Sequence, residues 1–354
     1  MKLEIIRNTQ PKQKPQDETK LGFGRIFTDH MLTIQYRTGE GWHNAQIRPF
    51  ENFSFSPACS VLHYSQTIFE GLKAYQTEKG VNLFRPWDNF TRMNISAKRM
   101  CMPELPQEFI LESLYELVNI EKGWIPKADG TSLYVRPTYI ATDPYIGVKE
   151  GDEYLFYIIL SPVGAYYASG LAPVDIYVED NYVRSVVGGT GAAKTGGNYA
   201  ASLIAGKYAH DKGFSQVLWL DGCEKKYVEE VGSMNMFFKI KGELYTAPLT
   251  GSILAGITRD SIIRLARDVY GVPVREERIA IADIFREAET GGLEEAFGTG
   301  TAAVVSPVGG MQWEDKRIKV SGGNMGELTG KLYDKLTGIQ YGRYQDEFGW
   351  IKTL

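Results

Sequence analysis

Alternating apolar and polar residues predict strands in the first 165 residues, and apolar residues at helical spacing predict two helices there. The predicted strands are residues 23–42, broken at Gly39–Gly41, then residues 131–141 and 153–164. A helix is predicted over 86–103, with Asp88 as its N-cap and Pro103 as its end. A second helix is predicted over 107–122, where apolar residues repeat on one face and Gly123 stops the pattern. Residues 8–20 are polar and contain two prolines, which predicts an extended arm.

The rest of the chain mixes strand and helix patterns in the same way. The predicted strands are residues 174–180, 215–221 and 233–240. The predicted helices are residues 199–211, closed by Gly213, and residues 258–271, 282–289 and 325–337. Residues 297–303, rich in glycine and threonine, are predicted to form a loop. Because strands and helices interleave irregularly, the sequence favours an α/β protein of the mixed α+β kind over a doubly wound parallel sheet.

A stretch of small residues without periodicity, residues 164–174, marks the predicted domain boundary. We predict a small N-terminal α/β domain over 1–165, a linker over 166–176, and a larger C-terminal domain over 177–354. A length of 354 residues agrees with two domains.

Composition narrows the classes of function. Apolar residues make up 43% of the chain and charged residues 23%, as in ordinary globular proteins. The formal net charge of −4 argues against a nucleic-acid partner. Three cysteines and four histidines show no metal-ligand spacing, so no metal site is expected. No segment has the apolar length of a signal peptide or a membrane span, which predicts a cytoplasmic protein without a membrane partner.

Lys194 lies in the glycine-rich stretch "VVGGTGAAKTGGNYAASLIA", residues 186–205. A P-loop is rejected, because Ala193 precedes the lysine where that motif requires glycine. A dinucleotide fingerprint is rejected as well, because the acidic residue at the right distance, Asp211, ends a predicted helix and not a strand. Two interpretations remain from this spacing alone, and they are equally supported. One is a solvated lysine on a flexible loop, and the other is a Schiff-base lysine for pyridoxal phosphate.

Three later segments favour the cofactor. The run "EEVGSMN", residues 229–235, has a carboxylate just before a small turn, as a partner for a pyridine nitrogen requires. Residues 256–258 begin a predicted helix, where free N–H groups attract a phosphate. The run "FGTGTAA", residues 297–303, offers hydroxyl and main-chain N–H groups to an anion.

With these segments, the chain resembles the branched-chain amino-acid aminotransferases, a class IV pyridoxal-phosphate-dependent family with the D-amino-acid-aminotransferase-like fold, fold type IV. The motifs that carry the resemblance are "LHYSQTIFEGLKAY", "TSLYVRPTYIATDPYIGV", "GGTGAAKTGGNYAASL", "EEVGSMNMFF", "ILAGITRDSI" and "FGTGTAAVVSPV". They stand in the family's order over roughly residues 20–343. The resemblance implies reversible transfer of an amino group between leucine, isoleucine or valine and 2-oxoglutarate.

The resemblance also implies roles for individual residues around the cofactor. Lys194 is expected to bond covalently to pyridoxal 5'-phosphate and to move the substrate's α-proton. Glu230, and not its neighbour Glu229, matches the partner of the pyridine nitrogen, and Tyr199 matches the residue at the ring hydroxyl. The residues implied to hold the phosphate are Arg92, Ser233, Ile257, Thr258 and Thr299.

A second set of residues is implied to bind the substrate. The α-carboxylate is expected to meet Thr301, the main chain at Ala302 and the hydroxyl of Tyr64. Residues implied to line an apolar pocket for the branched side chain are Phe23, Tyr64, Phe69, Tyr134 and Ala302. Arg136 matches the group that takes the distal carboxylate of glutamate. The loop ending at Val148 is implied to reach the neighbouring subunit's pocket, which predicts a homodimer.

Two alternatives remain at this stage. A D-amino-acid aminotransferase or an aminodeoxychorismate-lyase-like enzyme would share the fold and the cofactor, but the aromatic pocket with Arg136 argues against both. A non-catalytic phosphate-binding protein would not need Lys194 together with Glu230.

Overall fold

The computed structural model describes residues 1–164 and 171–354, and these form two compact units. The first unit holds residues 1–164, Ala193–Gly196 and Ile339–Leu354; the second holds residues 171–192 and Gly197–Gly338. The lysine segment and the C-terminal segment therefore belong to the first unit, although they follow the predicted boundary in sequence. Part of the predicted linker, residues 166–170, lies outside the described residues.

Nine described strands form the sheet of the first unit. They are β1 (Leu3–Ile5), β2 (His30–Arg37), β3 (Gly41–Pro49), β4 (Thr67–Phe69), β5 (Leu72–Thr77), β6 (Gly80–Phe84), β7 (Ser132–Ala141), β8 (Glu153–Val163) and, near the C-terminus, β18 (Ile351–Thr353). Their order is β1-β3-β2-β8-β7-β5-β6-β18, and β4 pairs with β7. The pairs are antiparallel except for β1 with β3.

Three α-helices accompany this sheet in the first 164 residues: α1 (Ser60–Tyr64), α2 (Pro86–Arg99) and α3 (Gln107–Glu121). Apolar residues of α2 and α3, such as Phe90 and Leu114, pack with Leu133 and Val135 of β7 in one core. Since side chains alternate across a strand, Tyr134 and Arg136 lie on the opposite face of the sheet. Because that face does not pack into this core, it can carry polar side chains.

The second unit also contains a nine-stranded mixed sheet within its described residues. Its strands are β9 (Val174–Glu179), β10 (Gln216–Leu220), β11 (Val228–Val231), β12 (Met234–Ile240), β13 (Glu243–Thr246), β14 (Val274–Glu276), β15 (Leu293–Gly300), β16 (Val304–Trp313) and β17 (Lys316–Lys319). The order is β11-β10-β9-β16-β15-β12-β13-β14, and a further pairing of β11 with β12 closes six of these strands into a ring. Mixed sheets in both units agree with the predicted fold class.

The later helices are α4 (Gly196–Ala200), α5 (Leu203–Asp211), α6 (Ile257–Arg264), α7 (Ile281–Thr290) and α8 (Glu327–Gln340). A π-helical turn, Leu265–Val269, continues α6. Ile281, Ile284 and Phe285 of α7 pack into the main core of this unit, and Ala205 and Ala209 of α5 pack with Phe214 and Trp219 in a smaller one.

Several predicted boundaries were wrong in the first half of the chain. The first predicted strand corresponds to β2, which begins at His30 and not at residue 23, because the preceding residues form bends and irregular backbone. Asp88 is not the N-cap of α2: Arg85 occupies that position with a φ of 48°, and Pro86, whose ring suits the first turn of a helix, follows it. α2 ends at Arg99, before Pro103, and Gly123 lies in a 3-10 turn after α3.

Two predictions in the second half were wrong as well. The helix predicted over 199–211 is two helices, because Ser202 donates its N–H and its hydroxyl to the carbonyl of Tyr199 (3.1 and 2.7 Å) and interrupts the pattern. The loop predicted over 297–303 is mostly strand: β15 continues to Gly300 and pairs with β16, which leaves only residues 301–303 as a turn.

Candidate active site

Lys194 is held by its main chain to α2 and β4 of the first unit. Its N–H donates to Ser96 Oγ (2.9 Å), and its carbonyl accepts from the N–H of Phe69 (3.0 Å). The next residue, Thr195, bridges to Ile68 and donates its hydroxyl to the carbonyl of Thr67 (2.7 Å). The amine Nζ lies 4.8 Å from the centre of the Phe69 ring. These contacts fix the base of the lysine side chain, so the solvated-loop interpretation does not describe this segment.

Arg92, one turn before Ser96 on α2, forms a two-pronged ion pair with Glu70. Nε and Nη2 of Arg92 each lie 2.8 Å from a different oxygen of the carboxylate, and Glu70 is fully buried. Paired parallel hydrogen bonds of this kind set the plane of a guanidinium. Sequence reasoning missed Glu70, whose signal was its position directly after the predicted pocket residue Phe69.

The face of the sheet opposite the helices carries an aromatic cluster around Arg136. Nη2 of Arg136 donates to the hydroxyl of Tyr134 (3.0 Å), and its guanidinium carbon lies 4.8 Å from the Phe69 ring centre. The Phe23 ring meets Tyr134 edge-on at 4.9 Å. Among the described residues, no carboxylate pairs with Arg136, and its buried Nε has no hydrogen-bond partner. The structure thus brings three predicted pocket residues, Phe23, Phe69 and Tyr134, together near the unpaired buried N–H of Arg136.

Two further residues border this cluster: Lys73 on β5, and Gly71 just before that strand. Lys73 lies opposite Tyr134 in the pairing of β5 with β7, and burial lowers its pKa to about 8. A Cβ on Gly71 would lie 2.1 Å from the Tyr134 hydroxyl, so a side chain there would force the Tyr134 ring to move. Neither residue was predicted as part of the site.

Tyr64 and Val148, also predicted to bind substrate, occupy exposed positions of the first unit. Tyr64 ends α1 and is 40% exposed, and Val148 lies on the loop after β7 and is 89% exposed. The remaining predicted residues belong to the second unit.

Glu230 is a buried carboxylate of β11 with two polar neighbours. Arg184 Nη1 lies 2.7 Å from Oε2, with both side chains less than a tenth exposed. Asn235 Nδ2 donates to Oε1 (3.2 Å) and to the carbonyl of Leu254 (2.9 Å). An adjacent guanidinium favours the ionised carboxylate. Neither was predicted: Asn235 ends the same run as Glu230, residues 229–235, but received no role, and Arg184 lies outside the motifs.

Glu229 is in a different environment from its neighbour. It accepts a hydrogen bond from Ser252 Oγ (2.5 Å), and burial raises its pKa. The two adjacent carboxylates therefore differ physically: Glu230 is paired with a cation, and Glu229 with a neutral hydroxyl.

The predicted phosphate residues of the second unit surround the start of α6 and the end of β15. Gly256 is the N-cap of α6, so Ile257 and Thr258 contribute N–H groups of its first turn. Thr299 faces Asn235 in the pairing of β15 with β12, and its buried hydroxyl has no hydrogen-bond partner among the described residues. A helix N-terminus and an unpaired hydroxyl are both suited to an anion.

The other predicted residues of this unit lie in turns and a short helix. Ser233 stands in the turn between β11 and β12, Thr301 and Ala302 in the turn between β15 and β16, and Tyr199 in α4. Their roles remain predictions.

In the part of the chain that the structure describes, no group of three histidine, cysteine, aspartate or glutamate side chains could hold a metal ion. Searching the same residues for a helix long and apolar enough to cross a membrane gives none.

Comparison with known proteins identifies the family. Residues 67–310 match the family model of the class IV amino-transferases. The chain is 54% identical to branched-chain-amino-acid aminotransferase 2 of Bacillus subtilis strain 168, covering 100% of this chain and 97% of that protein. It is 51% identical to a probable branched-chain-amino-acid aminotransferase of Staphylococcus epidermidis, over 99% of this chain and 97% of the relative.

Solved structures show the same fold. The branched-chain amino acid aminotransferase from Escherichia coli superposes with a TM-score of 0.74 at 27% identity, covering 92% of this chain and 98% of that one. The branched-chain amino acid aminotransferase of T.th., complexed with N-(5'-phosphopyridoxyl)-L-glutamate, gives 0.74 at 27% identity, covering 91% and 98%. The fold and site define a class IV aminotransferase of fold type IV. Within that class, the chain belongs to the branched-chain-amino-acid aminotransferase family.

Proposed function

We propose that this protein is a pyridoxal-phosphate-dependent transaminase that exchanges an amino group between leucine, isoleucine or valine and 2-oxoglutarate. The names of its relatives support the branched-chain substrates. The observation that carries the proposal is Arg136, a half-buried cation among aromatic rings whose buried Nε has no hydrogen-bond partner and which has no described carboxylate partner. Such a pocket suits an apolar side chain and supplies a partner for the distal carboxylate of glutamate.

The donor groups fit pyridoxal 5'-phosphate. An unpaired buried hydroxyl on Thr299, the start of α6 and the guanidinium of Arg92 suit a phosphate, and the cation-paired Glu230 suits a protonated ring nitrogen. We propose that the residues holding the cofactor are Lys194, Arg92, Tyr199, Glu230, Ser233, Ile257, Thr258 and Thr299. When bound, the cofactor supplies an electron-withdrawing ring that stabilises the charge left by removal of the substrate's α-proton.

Each proposed role follows from the chemistry of the side chain. The amine of Lys194, fixed at its base by Ser96 and Phe69, removes and returns the α-proton. Glu230, kept ionised by Arg184, holds a proton on the ring nitrogen.

For the substrate, we propose that Thr301, the main chain of Ala302 and the Tyr64 hydroxyl bind the α-carboxylate of every amino acid. Phe23, Phe69 and Tyr134 contact the side chain. Arg136 is near enough to those rings to meet a side-chain carboxylate in the same pocket.

We also propose a homodimer in which the loop ending at Val148 contributes to the neighbouring subunit's pocket. Apolar residues with exposures of 51–89% at Tyr145, Ile146 and Val148 support a covering partner. Because Cys59, Cys101 and Cys223 are free thiols, we place the protein in the reducing cytoplasm.

Replacing Arg136 by methionine tests the substrate proposal. Removing the partner of a buried charge typically costs about 2–5 kcal/mol, so the half-reaction with glutamate should slow by about two orders of magnitude or more. The half-reaction with leucine should change only several-fold, because leucine brings no second charge. Single-turnover absorbance measurements with each amino acid separately give both rates.

Arg37→Met is the matched control, since Arg37 is an exposed arginine of β2 that pairs with Glu153. It should affect neither half-reaction. Equal losses with glutamate and leucine in Arg136→Met would show that Arg136 only supports the pocket. A preference for D-amino acids in wild type would favour the related D-amino-acid aminotransferase function.

A further inference from the structure

The loop between β7 and β8 has apolar residues at its tip and a buried carboxylate at its base. Tyr145, Ile146 and Val148 are 51%, 68% and 89% exposed, although apolar side chains of this size usually avoid water when they are adjacent. Asp143, which precedes them, is only 6% exposed.

Asp143 closes the loop by binding its far end. Its Oδ1 accepts from the N–H of Asp152 (2.8 Å), and its Oδ2 accepts from the N–H of Glu153 (3.2 Å), where β8 begins. Its main-chain carbonyl accepts from the N–H groups of Ser60 (2.8 Å) and Tyr145 (2.9 Å). One residue therefore ties the two ends of the loop to each other and both to the start of α1.

Two glycines of the loop that Asp143 closes have little room for a side chain. A Cβ on Gly151 would lie 2.7 Å from Asp143 Oδ2, and a Cβ on Gly147 would lie 2.3 Å from the Tyr145 ring. Lys149 Nζ lies 5.2 Å from the centre of the same ring and pairs with Asp152. Neighbouring side chains thus crowd the loop at Gly147 and Gly151, while nothing in the described chain covers Val148.

We propose that Asp143 is a positioning residue that acts on the neighbouring subunit's site: it holds residues 144–151 in the shape that presents Val148 to the partner. The inference rests on the proposed homodimer with loop exchange. Ionised carboxylates make strong hydrogen bonds to main-chain N–H groups, and their loss would leave two N–H groups of the loop base without acceptors. The loop would then sample other shapes, at no direct cost to the subunit's own lysine.

The first test compares Asp143→Ala with Asp152→Ala. Asp152 contributes its N–H to the loop closure, whereas its exposed carboxylate interacts with Lys149 and Thr38 and not with Asp143, so its truncation keeps the closure. We expect Asp143→Ala to keep the dimer mass and the cofactor's absorbance while kcat/KM for leucine falls by about 10- to 100-fold through misplacement of Val148. Asp152→Ala should stay near wild type. Wild-type kcat/KM in a folded Asp143→Ala dimer would overturn the proposal.

The second test asks which subunit the loop serves. Co-expression of Asp143→Ala and Lys194→Ala chains with different affinity tags allows purification of the mixed dimer alone. If the loop acts on the partner, the site with the intact lysine also receives the intact loop, and the mixed dimer should show about half the wild-type turnover. The proposal would be overturned if the mixed dimer's turnover were no higher than half the turnover of the Asp143→Ala homodimer.

Two outcomes separate this inference from the function on which it rests. A monomeric wild-type protein in light scattering would overturn the proposed homodimer and, with it, the role of Asp143. A wild-type dimer without rescue in the mixed dimer would overturn only the role of Asp143. If Asp143→Ala does not fold, Asp143→Asn replaces it in both tests, since its remaining carbonyl oxygen can still accept one N–H, and a smaller loss of the same kind is expected.

Discussion

Neighbouring residues of the same type have different chemistry here because of what surrounds them. Glu229 and Glu230 are adjacent on β11, but Arg184 and Asn235 contact Glu230 and Ser252 contacts Glu229. The sequence predicted Glu230 by resemblance to a motif. Arg184 could not be predicted that way, since the pairing of β9, β10 and β11 brings the region around it to Glu230 from far along the chain. The acid is predictable from a local pattern, whereas the cation that keeps it ionised depends on tertiary structure.

Replacing Arg184 by methionine should therefore reduce catalysis without removing any group that we propose to touch the cofactor. Without the guanidinium, Glu230 is a buried carboxylate that takes up a proton more readily and holds the ring nitrogen's proton less well. By analogy with the outer-shell partners of metal ligands, kcat should fall about 10- to 100-fold. The pH dependence of the cofactor's visible absorbance should shift in the same variant, and Arg184→Lys should recover part of both properties.

Arg278→Met is the control for this change, because Arg278 is a half-exposed arginine of the same unit that pairs with Glu224. It should leave turnover and spectrum unchanged. Unaltered turnover and an unaltered spectrum in Arg184→Met would instead mean that Asn235 and the other contacts of Glu230 are enough to hold it.

At the scale of elements, the N-terminal segment shows how far pattern reasoning goes. Polarity and prolines predicted an extended arm over residues 8–20, and apart from a short 3-10 turn at Glu18–Lys20 the segment has no regular structure. The pattern could not predict which residues hold this segment to the rest of the first unit. The N–H of Asn8 donates to His30 Nε2 (2.8 Å), and the N–H of Lys12 donates to Asp29 (2.7 Å). Residues from the start of β2 thus hold a segment that no local pattern links to them.

His30 is the central residue of this attachment. Its Nδ1 contacts Glu121, the last residue of α3, and both side chains are buried. Because Nε2 accepts from Asn8, the ring carries its proton on Nδ1 and donates it to Glu121. Burial raises the pKa of Glu121, and the hydrogen bond with His30 opposes that shift. The same segment leads to Phe23, whose ring packs on Tyr134 in the candidate site.

Replacing His30 by leucine should release the N-terminal segment. The change removes the acceptor for Asn8 and leaves Glu121 buried without its partner, which typically destabilises a protein by about 3–5 kcal/mol. Trypsin should then cleave after Lys12 much faster than in wild type, as mass spectrometry can measure. Because an unpaired Glu121 with a raised pKa is protonated at acidic pH, the loss of unfolding free energy should be smaller in mildly acidic buffer than at neutral pH.

His63→Leu is a suitable control, since this exposed histidine contacts the carbonyl of Pro57 and the ring of its neighbour Tyr64 but no residue of the N-terminal segment among those described. It should change neither cleavage nor stability. Equal cleavage rates in wild type and His30→Leu would show that Lys12 and the other contacts hold the segment without His30.

For the whole molecule, the sequence predicted the fold class correctly but not how the chain is divided. Irregular alternation of strands and helices indicated mixed sheets, and both sheets are mixed. The short strands β4, β14 and β18 have too few residues to show a period, so they were not predicted. Two later segments, Ala193–Gly196 and Ile339–Leu354, belong to the first unit. They are joined to it by strand pairings such as Ile68 with Thr195 and Ile351 with Phe84. A single boundary placed along the sequence cannot predict such an arrangement.

Exposed apolar residues on α5 indicate a contact with another chain. On α5, Leu203, Ile204 and Tyr208 are 72%, 43% and 45% exposed, while Ala205 and Ala209 face the unit's own core. A helix with apolar residues on both sides is normally covered on both. Since we propose a homodimer, a second copy of the chain is the covering partner that these residues suit.

We therefore predict that Leu203→Glu weakens the dimer. Placing a carboxylate where an apolar contact forms would leave it buried without a partner, which opposes association strongly. Light scattering should show a shift from about twice 39.7 kDa towards the single-chain mass at low micromolar concentration. Turnover should fall along with the dimer fraction, because an isolated subunit would lack the neighbour's loop that we propose to complete its pocket. Lys207→Ala, which removes only an exposed ion pair with Asp211 on the same helix, should stay dimeric. A Leu203→Glu protein that remains a dimer at the lowest measurable concentration would show that α5 faces solvent and that the interface lies elsewhere.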